Sequence, residues 1–231
     1  MLKSCSLFIL SLIIISASYA GEDDLYDFLW LDPDKSVYVL QNKIFPKNKS
    51  FYIDVGYLGL NLTSTFQDTN GAQVKAGYYF KEDWGIELNI LSYSNSDNTA
   101  LSGVKTVSGT VPFIRRPLSS SSVFAIWSPF YGKINTFNQI FYFDWSFGVG
   151  TGSYKMESNI NTAESLTEDK FDTETYTPIQ LKTNLKFHLN KRINIGVEFL
   201  NTNYQANTPK NKNGKSWTLN NDIIFSIGAS F

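Results

Sequence analysis

The sequence predicts an all-β fold, an eight-stranded antiparallel up-and-down transmembrane β-barrel with a short periplasmic N-terminal segment. Three observations carry that expectation. Apolar and polar residues alternate with period two along most of the chain. Many of the alternating segments approach the roughly 9–11 residues that a tilted strand needs to cross a bilayer. Short and long polar links follow one another in turn, as in barrels with tight turns on one side of a membrane and longer loops on the other.

The N-terminus is set apart from this pattern. Lys3 precedes an apolar run over residues 7–15, and Ser18-Tyr19-Ala20 places small residues at the −3 and −1 positions of a cleavage site. Residues 1–20 therefore read as a cleaved secretory signal peptide. Cys5 leaves with it, ahead of the apolar run and too early for a lipoprotein cysteine. With one cysteine and one histidine, a disulfide framework is excluded and a Cys- or His-rich metal centre is not expected. No later stretch holds eighteen consecutive apolar residues, so strands must do any crossing. The balance of 20 basic against 21 acidic residues lacks the basic excess of a nucleic-acid binder.

Residues 50–231 supply the strands. The first sets Phe51, Ile53, Val55 and Tyr57 against Tyr52, Asp54 and Gly56; Leu58 and Leu60 then invert the pattern, which points to a bulge at Gly59. The second sets Val74, Ala76, Tyr78 and Phe80 against Gln73, Lys75, Gly77 and Tyr79. The third opposes Trp84, Ile86, Leu88 and Ile90 to Gly85, Glu87 and Asn89. The fourth, residues 122–127, is a strand by composition with ambiguous faces. In the fifth, Phe137, Phe141, Phe143, Trp145, Phe147 and Val149 oppose Asn138, Tyr142, Asp144, Ser146 and Gly148. The sixth sets Ile179, Leu181, Leu185, Phe187 and Leu189 against Gln180, Lys182, Asn184, Lys186 and His188. The seventh opposes Ile193, Ile195, Val197 and Phe199 to Asn194, Gly196 and Glu198. The eighth carries Trp217, Leu219, Ile223, Phe225, Ile227, Ala229 and Phe231 on one face and Asp222 on the other, with Asn221 and Ile224 breaking the rule. Residues 81–83, 128–133 and 190–192 are the expected short turns; residues 63–70, 95–121, 151–177 and 205–215 are the expected long links.

Alternation alone does not say which face looks inward, since a soluble lipocalin-type barrel alternates too. The charges decide. Asp54, Lys75, Glu87, Asp144, Lys182, Lys186, His188, Glu198 and Asp222 share the polar faces with glycines, while Phe, Trp, Ile and Leu crowd the other. Eight strands enclose a space only wide enough for side chains. A one-residue slip of the sixth strand would turn Lys182 and Lys186 into lipid, at about 2–4 kcal/mol for each lysine at the midplane. The polar faces therefore form an interior network. Phe231, with Phe225, Ile227 and Ala229 at alternate positions before it, resembles the C-terminal signal read by the barrel insertion machinery. Tyr78, Phe80, Trp84 and Phe187 fall near the periplasmic strand ends, where they would form an aromatic girdle.

Further residues carry a resemblance. The run Val37-Tyr38-Val39-Leu40-Gln41-Asn42-Lys43, the run Trp127-Ser128-Pro129-Phe130-Tyr131-Gly132-Lys133, then Asp144 and Gly148-Val149-Gly150 are similar to an outer-membrane β-barrel domain family of myxobacterial and Bdellovibrio-type bacteria. The resemblance covers most of residues 36–231 and implies fold and location, with envelope assemblies as the setting of some relatives. It transfers no catalytic residue.

Residues 21–49 read as a periplasmic arm, acidic at its start, with Tyr26, Phe28, Leu29, Trp30 and Leu31 as an apolar cluster and Lys43, Lys47 and Lys49 before the membrane. It is either a tail or strap over the barrel mouth, or a docking segment for an envelope protein partner or a neighbouring copy. Arg115-Arg116 falls in a long link, as contact with lipopolysaccharide or as two solvated charges. The acidic residues of the link over 151–177 read as a solvated loop or a weak divalent-cation site. His188 is at the wrong end of its strand for a rim active site, so no catalytic, cofactor-binding or metal-binding residue is expected. The resulting function is structural or interactive: envelope integrity, adhesion or assembly, as a homo-oligomer or with other envelope proteins, among outer-membrane lipids and lipopolysaccharide. The rival readings are a porin-like channel and a lipid-modifying outer-membrane enzyme.

Overall fold

The computed structural model describes residues 43–136, 139–163, 170–209 and 211–231. The expected signal peptide, residues 21–42 of the arm with their apolar cluster, and Glu164, Glu168 and Asp169 lie outside the described residues. The elements run β1 (Ser50–Asn61), β2 (Gln67–Tyr79), β3 (Trp84–Asp97), α1 (Thr99–Ser108), β4 (Arg115–Thr136), β5 (Gln139–Ser158), β6 (Asp172–Tyr176), β7 (Ile179–His188), β8 (Ile193–Thr208) and β9 (Asn211–Ser230). Every pairing is antiparallel, β4 joins β5 and β1 joins β9, so the sheet closes on itself. At the seam Phe51 N donates to Phe231 O at 3.0 Å, and Phe231 N donates to Phe51 O at 2.8 Å.

β6 and β7 both pair with β5 and act as one stave, which gives the ring eight. The stave is interrupted at Thr177-Pro178, because Pro178 has no N–H to offer the ladder. Its carbonyl instead accepts the hydroxyl of Thr151 at 2.8 Å.

Alternation sets the two faces throughout. Phe51, Ile53, Val55 and Tyr57 are exposed on the outer wall, while Tyr52, Asp54 and Leu58 are buried in the interior. The β1–β9 register shifts between Leu58 and Leu60, which is the bulge at Gly59. The ambiguous faces of residues 122–127 resolve with Phe124 and Ile126 inside and Val123 and Trp127 outside. Ile224, out of step in the sequence, is inside.

The links differ from the expected pattern. Residues 128–133 are not a turn: β4 continues through them to Thr136, with a register shift between Trp127 and Phe130 that absorbs Pro129. The shift lets Ser128 N donate to Asp83 O at 2.8 Å. The link expected over 63–70 shrinks to residues 62–66, and β8 and β9 pair up to Thr208 and Asn211, so strict alternation of short and long fails. Within residues 95–121 lies α1, which Asn98 caps by accepting from Leu101 N at 3.1 Å and Gly109 ends at φ 65°. The strands run past the lipid zone, where the outer face turns polar while Tyr93, Tyr154, Met156, Tyr204 and Ala206 are buried inside, so the alternation that marks the spanning segments inverts.

Candidate functional site: the charged interior and its strap

The interior is filled at three levels. In the middle, Asp54 of β1, Lys75 of β2, Glu87 of β3, Lys182 and Lys186 of β7 and Glu198 of β8 are all buried. Lys75 Nζ lies 2.8 Å from Glu198 Oε2 and 3.7 Å from Asp54 Oδ2. Lys182 donates to Glu87 and reaches Glu198 Oε2 at 3.2 Å. Lys186 Nζ is 3.0 Å from Asp54 Oδ2. Gln73 donates to Glu198 Oε1 at 2.8 Å, and the Tyr52 hydroxyl donates to Glu87 Oε2 at 2.5 Å. Three ammonium groups thus meet three carboxylates with neutral donors between them. Burying these charges is tolerable because each has an opposite charge in reach. Space for the layer comes from Gly77, where any side chain would collide with the Tyr52 ring.

Towards the end of the barrel that carries α1, Asp222 accepts from Asn61 at 2.6 Å, Asn220 at 2.8 Å and the Tyr93 hydroxyl at 2.8 Å. Above it the rings of Tyr93, Tyr154, Tyr204 and Tyr176 follow one another with centroids 5.1–6.2 Å apart. Arg115 crosses this mouth, donating to Glu174 Oε2 at 3.1 Å and to the Asn207 carbonyl at 2.8 Å. Arg116 donates to Glu157 Oε1 at 2.5 Å and lies over the Phe171 ring. Both arginines sit on β4, so neither is the solvated loop charge of the sequence reading.

The opposite mouth is crossed by residues 43–49, a strap running from the β2–β3 turn to β5 and β7. Glu82 accepts from the backbone amides of Lys47 and Asn48, both at 3.0 Å, and from Lys43 Nζ at 3.0 Å. Partial burial would raise the Glu82 carboxyl, but Lys43 and the two amides outweigh it and hold its pKa below the usual 4.5. Lys47 turns into the barrel, where its Nζ donates to Asp144 Oδ1 at 2.6 Å and to Ser128 Oγ at 2.7 Å. His188 Nε2 lies 2.7 Å from the other Asp144 oxygen, and the Phe45 ring stacks on His188 at 4.9 Å. A cavity of about 500 Å³ remains between the strap and the middle layer, lined by Tyr52, Asp144, Lys186 and His188.

All nine charged or ionisable residues singled out in the sequence point into the barrel, but they do not form one network. Six meet in the middle, Asp144 and His188 meet at the mouth that the strap crosses, and Asp222 stands apart. Phe225, Ile227, Ala229 and Phe231 lie on the outer wall of β9 and just past it. Phe80 and Trp84 are exposed at the β2–β3 turn, and Tyr78 and Phe187 face outward near the same end. Sequence reasoning missed Lys47, Phe45 and Glu82. One signal pointed to Lys47: three inward lysines faced five inward carboxylates, so cations from elsewhere were needed. Among the described residues, no group of three or more His, Cys, Asp or Glu could hold a metal ion.

Comparison with known proteins gives a family. The chain matches the family described as outer membrane protein beta-barrel domain over residues 46–231. No curated protein matches it. Among solved structures it is similar to the N-terminal β-barrel domain of Pseudomonas aeruginosa OprF, at 9% identity and a TM-score of 0.43, covering 80% of this chain and 98% of that one. It is also similar to Neisserial surface protein A, at 10% identity and a TM-score of 0.43, covering 78% and 97%. A third is Ail, the attachment invasion locus protein of Yersinia pestis, at 12% identity and a TM-score of 0.42, covering 80% and 99%. With a closed antiparallel ring, an apolar outer wall and a charged interior, the chain belongs to the outer membrane protein beta-barrel domain family.

Proposed function

We infer that this is a plugged envelope barrel with a structural or interactive role, one that supports envelope integrity, adhesion or assembly and does not conduct solutes. The observation that carries the reading is the middle layer, where Lys75, Lys182 and Lys186 hold Asp54, Glu87 and Glu198 across the lumen. Eight strands leave no aqueous channel once such side chains fill them. The strap adds a second closure below and Arg115 a third above.

In this reading residues 1–20 direct export and are removed, residues 21–49 form the periplasmic arm, and the strap moors that arm to the barrel. Phe225, Ile227, Ala229 and Phe231 are the contact for the insertion machinery, and Tyr78, Phe80, Trp84 and Phe187 the interfacial girdle. The surroundings are outer-membrane lipid and lipopolysaccharide, with an envelope protein or a second copy as partner. A nearer kinship with the barrels of gliding and predatory bacteria rests on the runs over 37–43 and 127–133, on Asp144 and on Gly148-Val149-Gly150.

The purified protein in a planar bilayer tests the central claim. It is expected to give no steady large conductance steps. Discrete, voltage-stable steps of porin size would replace the plugged reading with the channel reading.

A further inference from the structure

We propose that the outer wall over β7, β8, β9 and β1 is a binding site for one anionic glycerophospholipid of the periplasmic leaflet. The proposal goes beyond the plugged reading and rests on that reading's placement of the strap end in the periplasm.

The wall there is not smooth. The register lines up Phe187, Ile195, Ile227 and Val55 in one row across the four strands. In the next row towards the extracellular side, Phe225 and Tyr57 stand beside Val197. Large rings therefore rise at two corners while β-branched side chains and Gly196 lie lower between them, leaving a shallow apolar groove of about 600 Å³. In the row below, the small side chain of Ala229 stands between Ile193 and Ile53, so the groove stays open towards the periplasmic rim.

Beside the groove, that rim carries three cations against the single C-terminal carboxylate of Phe231. Lys191 and Arg192 occupy the β7–β8 turn, and Lys49, with its backbone at φ 59°, precedes β1 on the other side of β9. All three are exposed, and none makes an ion pair among the described residues. The acids of the β2–β3 turn, Glu82 and Asp83, are both engaged by Lys43. An acyl chain in the groove would bring its phosphate to this rim. Basic residues beside a bilayer each favour an anionic headgroup, while the apolar groove accepts the chain by burial. A second copy would fill the groove equally well, but it would bring its own three rim cations against these.

The full protein in detergent, examined by native mass spectrometry with added phosphatidylglycerol or phosphatidylethanolamine, tests this. One phosphatidylglycerol is expected to be retained at least about tenfold more strongly than phosphatidylethanolamine. The triple variant K49Q/K191Q/R192Q is expected to lose that preference while keeping heat-modifiable migration. Val55→Trp, which fills the groove floor, is expected to lose the bound lipid of either kind, whereas Ile90→Trp on the opposite wall keeps it. Equal retention of both lipids, retention unaffected by Val55→Trp, or a dimer in place of the lipid would overturn the proposal.

Discussion

Lys47 Nζ donates to Asp144 Oδ1 at 2.6 Å, joining two residues 97 positions apart in sequence. The bond makes a residue outside every strand part of the barrel interior. Without it, Asp144 would keep only His188 and buried dipoles as partners. Lys47→Met is expected to cost about 3 kcal/mol, because removing one member of a buried pair leaves the other charge uncompensated. Adding Asp144→Asn is expected to recover most of that loss. Urea unfolding in detergent micelles, followed by tryptophan fluorescence, measures both; losses that simply add would show that the pair is not coupled.

Glu198 binds Lys75 and Lys182 together. Glu198→Gln is expected to cost about 3 kcal/mol or more, since it leaves the middle layer with one surplus positive charge. The double variant K75M/E198Q restores neutrality and is expected to be more stable than Glu198→Gln alone. The same urea titration decides it, and a double variant weaker than the single would mean that local hydrogen bonds, not charge balance, govern the layer.

Gly77 and Ala125 separate the two faces by size. Gly77→Leu pushes into the Tyr52 ring and is expected to cost about 3 kcal/mol or to prevent barrel closure. Ala125→Leu adds bulk on the exposed outer wall and is expected to be neutral. The heat-modifiable fraction on a gel reads both outcomes.

The strap responds to acid through Glu82. Its folded pKa lies below the ordinary 4.5, so the stability it contributes is complete above that value and fades as pH falls through the lower folded value. A nitroxide on Asn48→Cys is expected to be immobilised at neutral pH and to loosen in strong acid. Glu82→Gln is expected to loosen it at neutral pH already, with the difference between the two proteins vanishing in acid. A difference that grows in acid would contradict the assignment.

The spanning strands were legible because lipid outside and charge inside write period two into the chain. That is how Asp54, Lys75, Glu87, Lys182, Lys186 and Glu198 could be placed inward from sequence alone. Beyond the lipid zone the alternation inverts, which is why the paired ends of β8 and β9 read as a loop. Pro129 misled for another reason: a proline beside a serine reads as a turn, and only the β5 partner strand reveals a bulge. The caps of α1, Asn98 and Gly109, are ordinary capping residues, but they lie inside a polar stretch where such residues are common. Lys47 left only an indirect trace, the surplus of inward carboxylates, because its place depends on a strap whose path no local pattern encodes.

The seam between β1 and β9 has a consequence for biogenesis. The first stave to be translocated must wait, with one ladder edge bare, until the last has been delivered some 180 residues later. Closing the ring is thus the longest-range pairing in the fold, and until it forms both bare edges are open to pairing with another polypeptide.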